Sequence, residues 1–103
     1  MRFSHDYSKL QSRFFSTIRF YSPYNEGDVI KIQSPSKEFI GQVILKIPRR
    51  LKEIPEIFLQ CDLETPQLTK AECIEKLRSL YKRDPPSPDD IVTIYFLERI
   101  SEA

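Results

Sequence analysis

Residues 13–21 read RFFSTIRFY, and the fold turns on how this stretch is taken. Phe14, Ser16, Ile18 and Phe20 alternate with Phe15, Thr17, Arg19 and Tyr21. Alternation among β-branched and aromatic residues predicts a strand, because such side chains fit a pleated, half-buried surface. The set Phe14, Ile18 and Phe20 reads as the core side. The opposite side then presents Thr17 and Arg19 together, flanked by aromatics, as a candidate ligand face.

Upstream, Ser4 can cap a short helix with Tyr7 and Leu10 on one face, ending near Ser12 or Arg13. Downstream, residues 22–28 are dense in turn formers. Residues 29–33 and about 39–47 read as strands joined by a polar loop at 34–37, an antiparallel hairpin whose second strand stops before Pro48. Gly41 within it suggests a bulge or a sharp bend. Pro55 can open a short helix carrying Ile57, Phe58 and Cys61. Thr69 and Glu72 have the spacing of a capping box, and Ile74, Leu77, Leu80 and Tyr81 continue a helix over roughly 69–83. Residues 84–88 hold three prolines and form a stiff linker. The last strand spans residues 91–98.

The element order α-β-β-β-α-α-β has no βαβ rhythm and no internal repeat. It predicts one α+β domain over residues 1–103, a small mixed β-barrel with helices packed at the side.

The bulk composition agrees. The chain of 103 residues is 40% hydrophobic and 30% charged, a globular balance for one domain. No apolar run approaches the ~18–20 residues of a membrane span. The first ten residues lack the apolar core of a signal peptide, so an intracellular, cytoplasmic location is expected. Cys61, Cys73 and the single histidine, His5, offer neither a disulfide framework nor a zinc ligand set, so no metal or cofactor is expected. Both cysteines sit among apolar residues and read as buried. Net charge is +1, unevenly divided. Residues 1–52 hold ten Lys/Arg against four Asp/Glu, and residues 53–103 hold six against eleven. That division fits either a polyanion partner for the first half or two halves that neutralise each other.

Five segments in this order resemble the ASCH domain, a branch of the PUA-like β-barrel superfamily. They are Ser12 to Arg19, Asn25-Glu26-Gly27-Asp28-Val29-Ile30, Gly41-Gln42-Val43, Lys76 to Tyr81, and Val92 to Phe96. The resemblance covers about Leu10 to Glu98 and implies a PUA-like (ASCH-type) barrel that binds RNA or a modified nucleotide. Closest in layout is a small bacterial subgroup that hydrolyses N4-acylated cytidines with a lysine, a threonine and a glutamate. By this resemblance the threonine falls on Thr17, the following arginine on Arg19 and the glutamate nearest Glu64. The motif's lysine falls on Phe14 and its glycine on Ser12. A phenyl ring can neither take a proton nor stabilise developing negative charge.

The expectation is therefore an RNA- or nucleotide-binding domain without robust catalysis. Thr17, Arg19, Tyr21 and Glu64 are its candidate ligand residues, and Thr17 and Glu64 its catalytic ones if it is an enzyme. Arg19, Lys46, Arg49, Arg50 and Lys52 are candidates for contacting phosphates. Two alternatives stay open: a hydrolase acting on N4-acylated cytidine or RNA with a lysine relocated from another element, and a protein-interaction module or inhibitor.

Overall fold

A computed structural model describes residues 1–20, 23–81 and 83–102, the side chain of Glu102 excepted. Four strands form one antiparallel sheet: β1 (Phe14–Arg19), β2 (Val29–Gln33), β3 (Glu38–Arg50) and β4 (Ile91–Glu102). Their order is β1-β4-β3-β2, with two helices, α1 (Glu56–Leu63) and α2 (Lys70–Ser79), between β3 and β4 in sequence. The fold is α+β as expected. The sheet itself does not close into a barrel; β1 and β2 are its two edges. The chain divides into two compact units, residues 1–17, 23–47 and 94–102 in the first and 18–20, 48–81 and 83–93 in the second. Among the described residues no helix is long and apolar enough to cross a membrane.

In the first unit the hairpin forms as its pattern dictates, with Val29 opposite Gln42 and Gln33 opposite Glu38. Gly27 turns the chain into β2 at φ 89, a left-handed conformation that suits a residue without Cβ. Gly41 sits in regular register opposite Ile30, so no bulge is needed to explain it. A Cβ there would come within 2.5 Å of the Ile32 Cδ1. Glycine is present because the fully buried Ile32 occupies that space. The β2 edge is covered by the first residues: the Phe3 amide donates to the Gln33 carbonyl (2.8 Å) and the Gln33 amide to that of Met1 (2.9 Å). Phe3, Leu10, Phe15, Ile32, Phe39, Val43, Tyr95 and Leu97 make the core. Phe15 meets Phe3 and Phe39 edge-on, at 6.3 and 6.0 Å. Burying side chains of this size contributes about 1.5–3 kcal/mol each.

Several local expectations are corrected. Residues 8–11 form a single 3-10 turn rather than a helix begun by Ser4. The Ser4 hydroxyl instead engages the His5 Nδ1 at 2.8 Å. The expected core side of β1 holds only in part: Ile18 is buried as expected, but so are Phe15 and Thr17, whereas Phe14 is 60% exposed. With an aromatic at both 14 and 15, alternation locates the strand but not its inner side. The Arg13 guanidinium lies over the Phe14 ring and pairs with Glu98 at 2.7 Å, which suits an outward ring. β4 runs past Glu98 because the Arg99 amide still finds a strand partner, the Arg13 carbonyl, at 2.7 Å.

β3 continues through Pro48 instead of stopping before it. β2 pairs only with residues 38–42, so beyond them that edge of β3 lacks a strand neighbour. The Lys46 amide turns to the Glu26 carboxylate there (3.2 Å), and Pro48, next in the alternation, has no N–H to satisfy.

The second unit has its own core of Ile18, Leu51, Ile54, Leu59, Leu63, Cys73, Ile74, Leu77 and Val92. α2 begins as expected. The Thr69 hydroxyl accepts from the Glu72 amide (3.3 Å), and the Glu72 carboxylate accepts from the Thr69 amide (3.0 Å). It ends at Ser79, before residue 83, because the Leu80 and Tyr81 amides take tighter bonds to Leu77 and Arg78; Leu80 is accordingly exposed. The Tyr81 hydroxyl accepts from the Phe20 amide at 2.9 Å. α1 forms where expected but buries Leu59, Asp62 and Leu63, leaving Ile57, Phe58 and Cys61 exposed. Apolar residues fall all round this helix, so periodicity alone does not choose its inner face. Of the two cysteines only Cys73 is buried, 3.8 Å from the Thr65 hydroxyl.

Candidate nucleic-acid interface

The end of β3 is basic because the strand leaves the hairpin and runs into solvent. Pro48, Arg49 and Arg50 are exposed, and a 3-10 turn over Leu51–Glu53 follows with Leu51 buried and Lys52 exposed. That turn is docked by two backbone bonds, from the Leu51 amide to the Asp90 carbonyl (3.0 Å) and from the Lys52 amide to the Pro88 carbonyl (2.9 Å). The docking segment is itself folded. The Ser87 amide donates to the Asp90 carboxylate (2.8 Å) and the Asp89 amide to the Ser87 hydroxyl (3.2 Å).

These bonds set Asp89 beside the cations. The Lys52 ammonium lies 2.5 Å from its carboxylate. The Asp89 carboxyl is held below its ordinary value by that hydrogen bond first, then by the Lys52 charge, with Arg50 adding to it. The Lys70 ammonium donates to the Lys52 carbonyl at 2.5 Å, and the Lys70 amide to the Glu56 carboxylate at 2.9 Å. The Arg49 guanidinium folds back onto the Pro48 carbonyl at 2.7 Å. The result is an exposed run of Arg49, Arg50 and Lys52 in which Asp89 faces Lys52 and Arg50, with the half-buried Lys70 bonded to the Lys52 backbone, an arrangement suited to attracting phosphates.

Of the residues singled out from sequence, Arg50 and Lys52 converge on Asp89. Arg19 is half-buried at the end of β1, in the same unit. Glu64 caps α1 in a left-handed conformation (φ 54, ψ 42), with its side chain exposed. Thr17, 3% exposed, and Lys46, half-buried, belong to the first unit. Tyr21 lies outside the described residues. Asp89 and Lys70 were not singled out. The prolines around residues 85–88 read as a linker, and nothing local signals that this linker docks on another element. Among the described residues, no group of three or more His, Cys, Asp or Glu is placed to hold a metal ion.

Among known proteins, the chain is 38% identical over 69 residues to an uncharacterized protein of Methanocaldococcus jannaschii, a match covering 62% of this chain and 60% of that protein. The chain thus spans less than two thirds of that relative. No family model matches the chain, and no solved structure does.

Proposed function

We propose that the chain is an ASCH-type, PUA-like domain that binds single-stranded or looped RNA through backbone phosphates, without robust catalysis. The observation that carries this reading is the exposed run of cations at the end of β3, Arg49, Arg50 and Lys52, with Asp89 against Lys52 and the half-buried Lys70 bonded to the Lys52 carbonyl. Arginines on an exposed strand end can each contact a phosphate and release a counterion on binding. The element order around residues 12–30, with Gly27-Asp28 leading into β2, supports the family reading. Phe14, at the position where the resembling hydrolases carry lysine, supports binding over hydrolysis.

The test is fluorescence anisotropy with a labelled single-stranded RNA at two salt concentrations. Binding should be saturable at low salt and weaken steeply as salt rises. The Arg49→Ala/Arg50→Ala double variant should bind more weakly and lower the salt slope by about 1.4, roughly 0.7 for each single-strand phosphate that is no longer neutralised. Absence of saturable binding at low salt overturns the proposal. Turnover of N4-acetylcytidine that vanishes in Thr17→Ala would overturn the non-catalytic part of it.

A further inference from the structure

The first unit holds a groove of about 490 Å³ lined by Gln11, Ser36, Lys37, Glu38 and Arg99, within the ~300–1,000 Å³ range of small-molecule pockets. We propose that it binds a small polyhydroxylated anion of the sugar-phosphate class. The groove shares no residue with the basic surface at the end of β3, and the inference does not rest on the RNA reading.

Its five lining residues are all of polar or charged type. Hydroxyl groups find Gln11, Ser36 and Glu38 as hydrogen-bonding partners. Among the lining residues two cations stand against one carboxylate, a balance that favours an anion. Lys37 is exposed, and its charge acts on the Asp6 carboxylate beside the same loop. Arg99 brings a permanent positive charge to the same space.

The walls are held in place before any ligand arrives. Arg99 lies over the Phe39 ring, 3.8 Å from its centroid, and donates through Nη2 to the Leu10 carbonyl. The loop that carries Ser36 and Lys37 is tied down by Asp6, whose carboxylate accepts from the Ser34 hydroxyl (2.6 Å) and the Ser36 amide (3.1 Å). Glu38 accepts from the Gln33 side-chain amide (2.7 Å), with the Lys31 ammonium at 3.6 Å. Three elements thus present fixed polar groups to one space, which lowers the ordering cost of binding.

The experiment is an NMR titration of the uniformly 15N-labelled chain with ribose 5-phosphate, inorganic phosphate and ribose in parallel. Ribose 5-phosphate should shift the amides of residues 36–38 and 99 saturably, and each of the other two should bind at least roughly tenfold more weakly, the worth of one charge-assisted hydrogen bond. Lys37→Met should weaken ribose 5-phosphate by a similar factor and leave the rest of the spectrum in place. Glu38→Gln should narrow the preference for ribose 5-phosphate over inorganic phosphate. Arg49→Ala/Arg50→Ala should change nothing, so this result and the RNA result fail independently. No saturable shift, equal binding of inorganic phosphate, or indifference to Lys37→Met overturns the proposal. So does a short RNA that occupies the same amides more tightly than ribose 5-phosphate.

Discussion

Gly41→Ala adds one methyl group to β3 at a place where the neighbouring atoms are known. Two effects favour the substitution. The unfolded chain loses freedom, a gain of about 0.4–1 kcal/mol, and a buried methyl contributes about 0.8 kcal/mol. Against them stands the Ile32 Cδ1, 2.5 Å from the new Cβ, with the Glu98 carbonyl oxygen at 3.3 Å. Carbon atoms rest about 3.5–4.0 Å apart, so the pair must separate by roughly 1 Å. Ile32 is fully buried beside Phe39 and has little room to yield. Overpacking of this kind costs about 1–3 kcal/mol, and the lack of slack puts this site near the upper end. The clash wins, and Gly41→Ala should destabilise by about 1 kcal/mol.

A second change isolates the cause. Ile32→Val deletes the clashing Cδ1 and alone should cost about 0.5–1.5 kcal/mol. In the Gly41→Ala background it should cost nothing or stabilise, giving a coupling of about 1–2 kcal/mol. Urea unfolding followed by far-ultraviolet circular dichroism reads these differences as midpoint shifts on the order of 0.5–1 M. A Gly41→Ala chain as stable as the parent, or single-variant costs that simply add, would refute the steric account.

Three further outcomes are expected. Thr69→Ala removes the hydroxyl that accepts from the Glu72 amide and should lower stability by about 1 kcal/mol, a fall in Tm of roughly 4–8 °C by calorimetry, whereas Thr69→Ser should keep most of it. The carboxyls of Asp6, Glu38, Glu72 and Asp89 are all held below their ordinary values by hydrogen bonds. Their contribution is therefore present above the unfolded-state values near pH 4 and lost as pH falls through the lower folded ones. The urea midpoint should stay level from neutral pH to about 5 and drop below about 4. Asp6→Asn should show a smaller drop, and an undiminished one would remove Asp6 from the account. In native protein a thiol reagent should modify Cys61 promptly and Cys73 only after unfolding; equal rates at both would contradict the buried position of Cys73.

Features that depend on local chemistry are legible in the sequence. The β2–β3 hairpin is one, since alternating residues bounded by Gly-Asp and Ser-Pro-Ser leave little choice of register. The Thr69–Glu72 capping box is another, because all of its partners lie within four residues. What fails is the choice between faces. Phe14 and Phe15 are equally apolar, and α1 is apolar on every side, so burial there is decided by distant segments. The length of β3 fails for a related reason, since Pro48 is tolerated only because β2 stops short. The candidate interface divides the same way. Arg49, Arg50 and Lys52 stand out as a charge run, while Asp89 joins them through backbone bonds across more than thirty residues that no local pattern announces.

The strand order also bears on how the chain acquires its structure. β1 lies against β4, so the Arg13 carbonyl waits for the amide of Arg99, more than eighty residues later in synthesis. The β2–β3 hairpin can close as soon as it emerges from the ribosome. β1 at that point has no partner and exposes both its backbone and Phe15. Pairing over such a sequence distance carries a large loop-closure cost before any contact repays it. The nascent chain therefore carries an unpaired β1 until β4 emerges, and β4 both completes the sheet and ends that exposure.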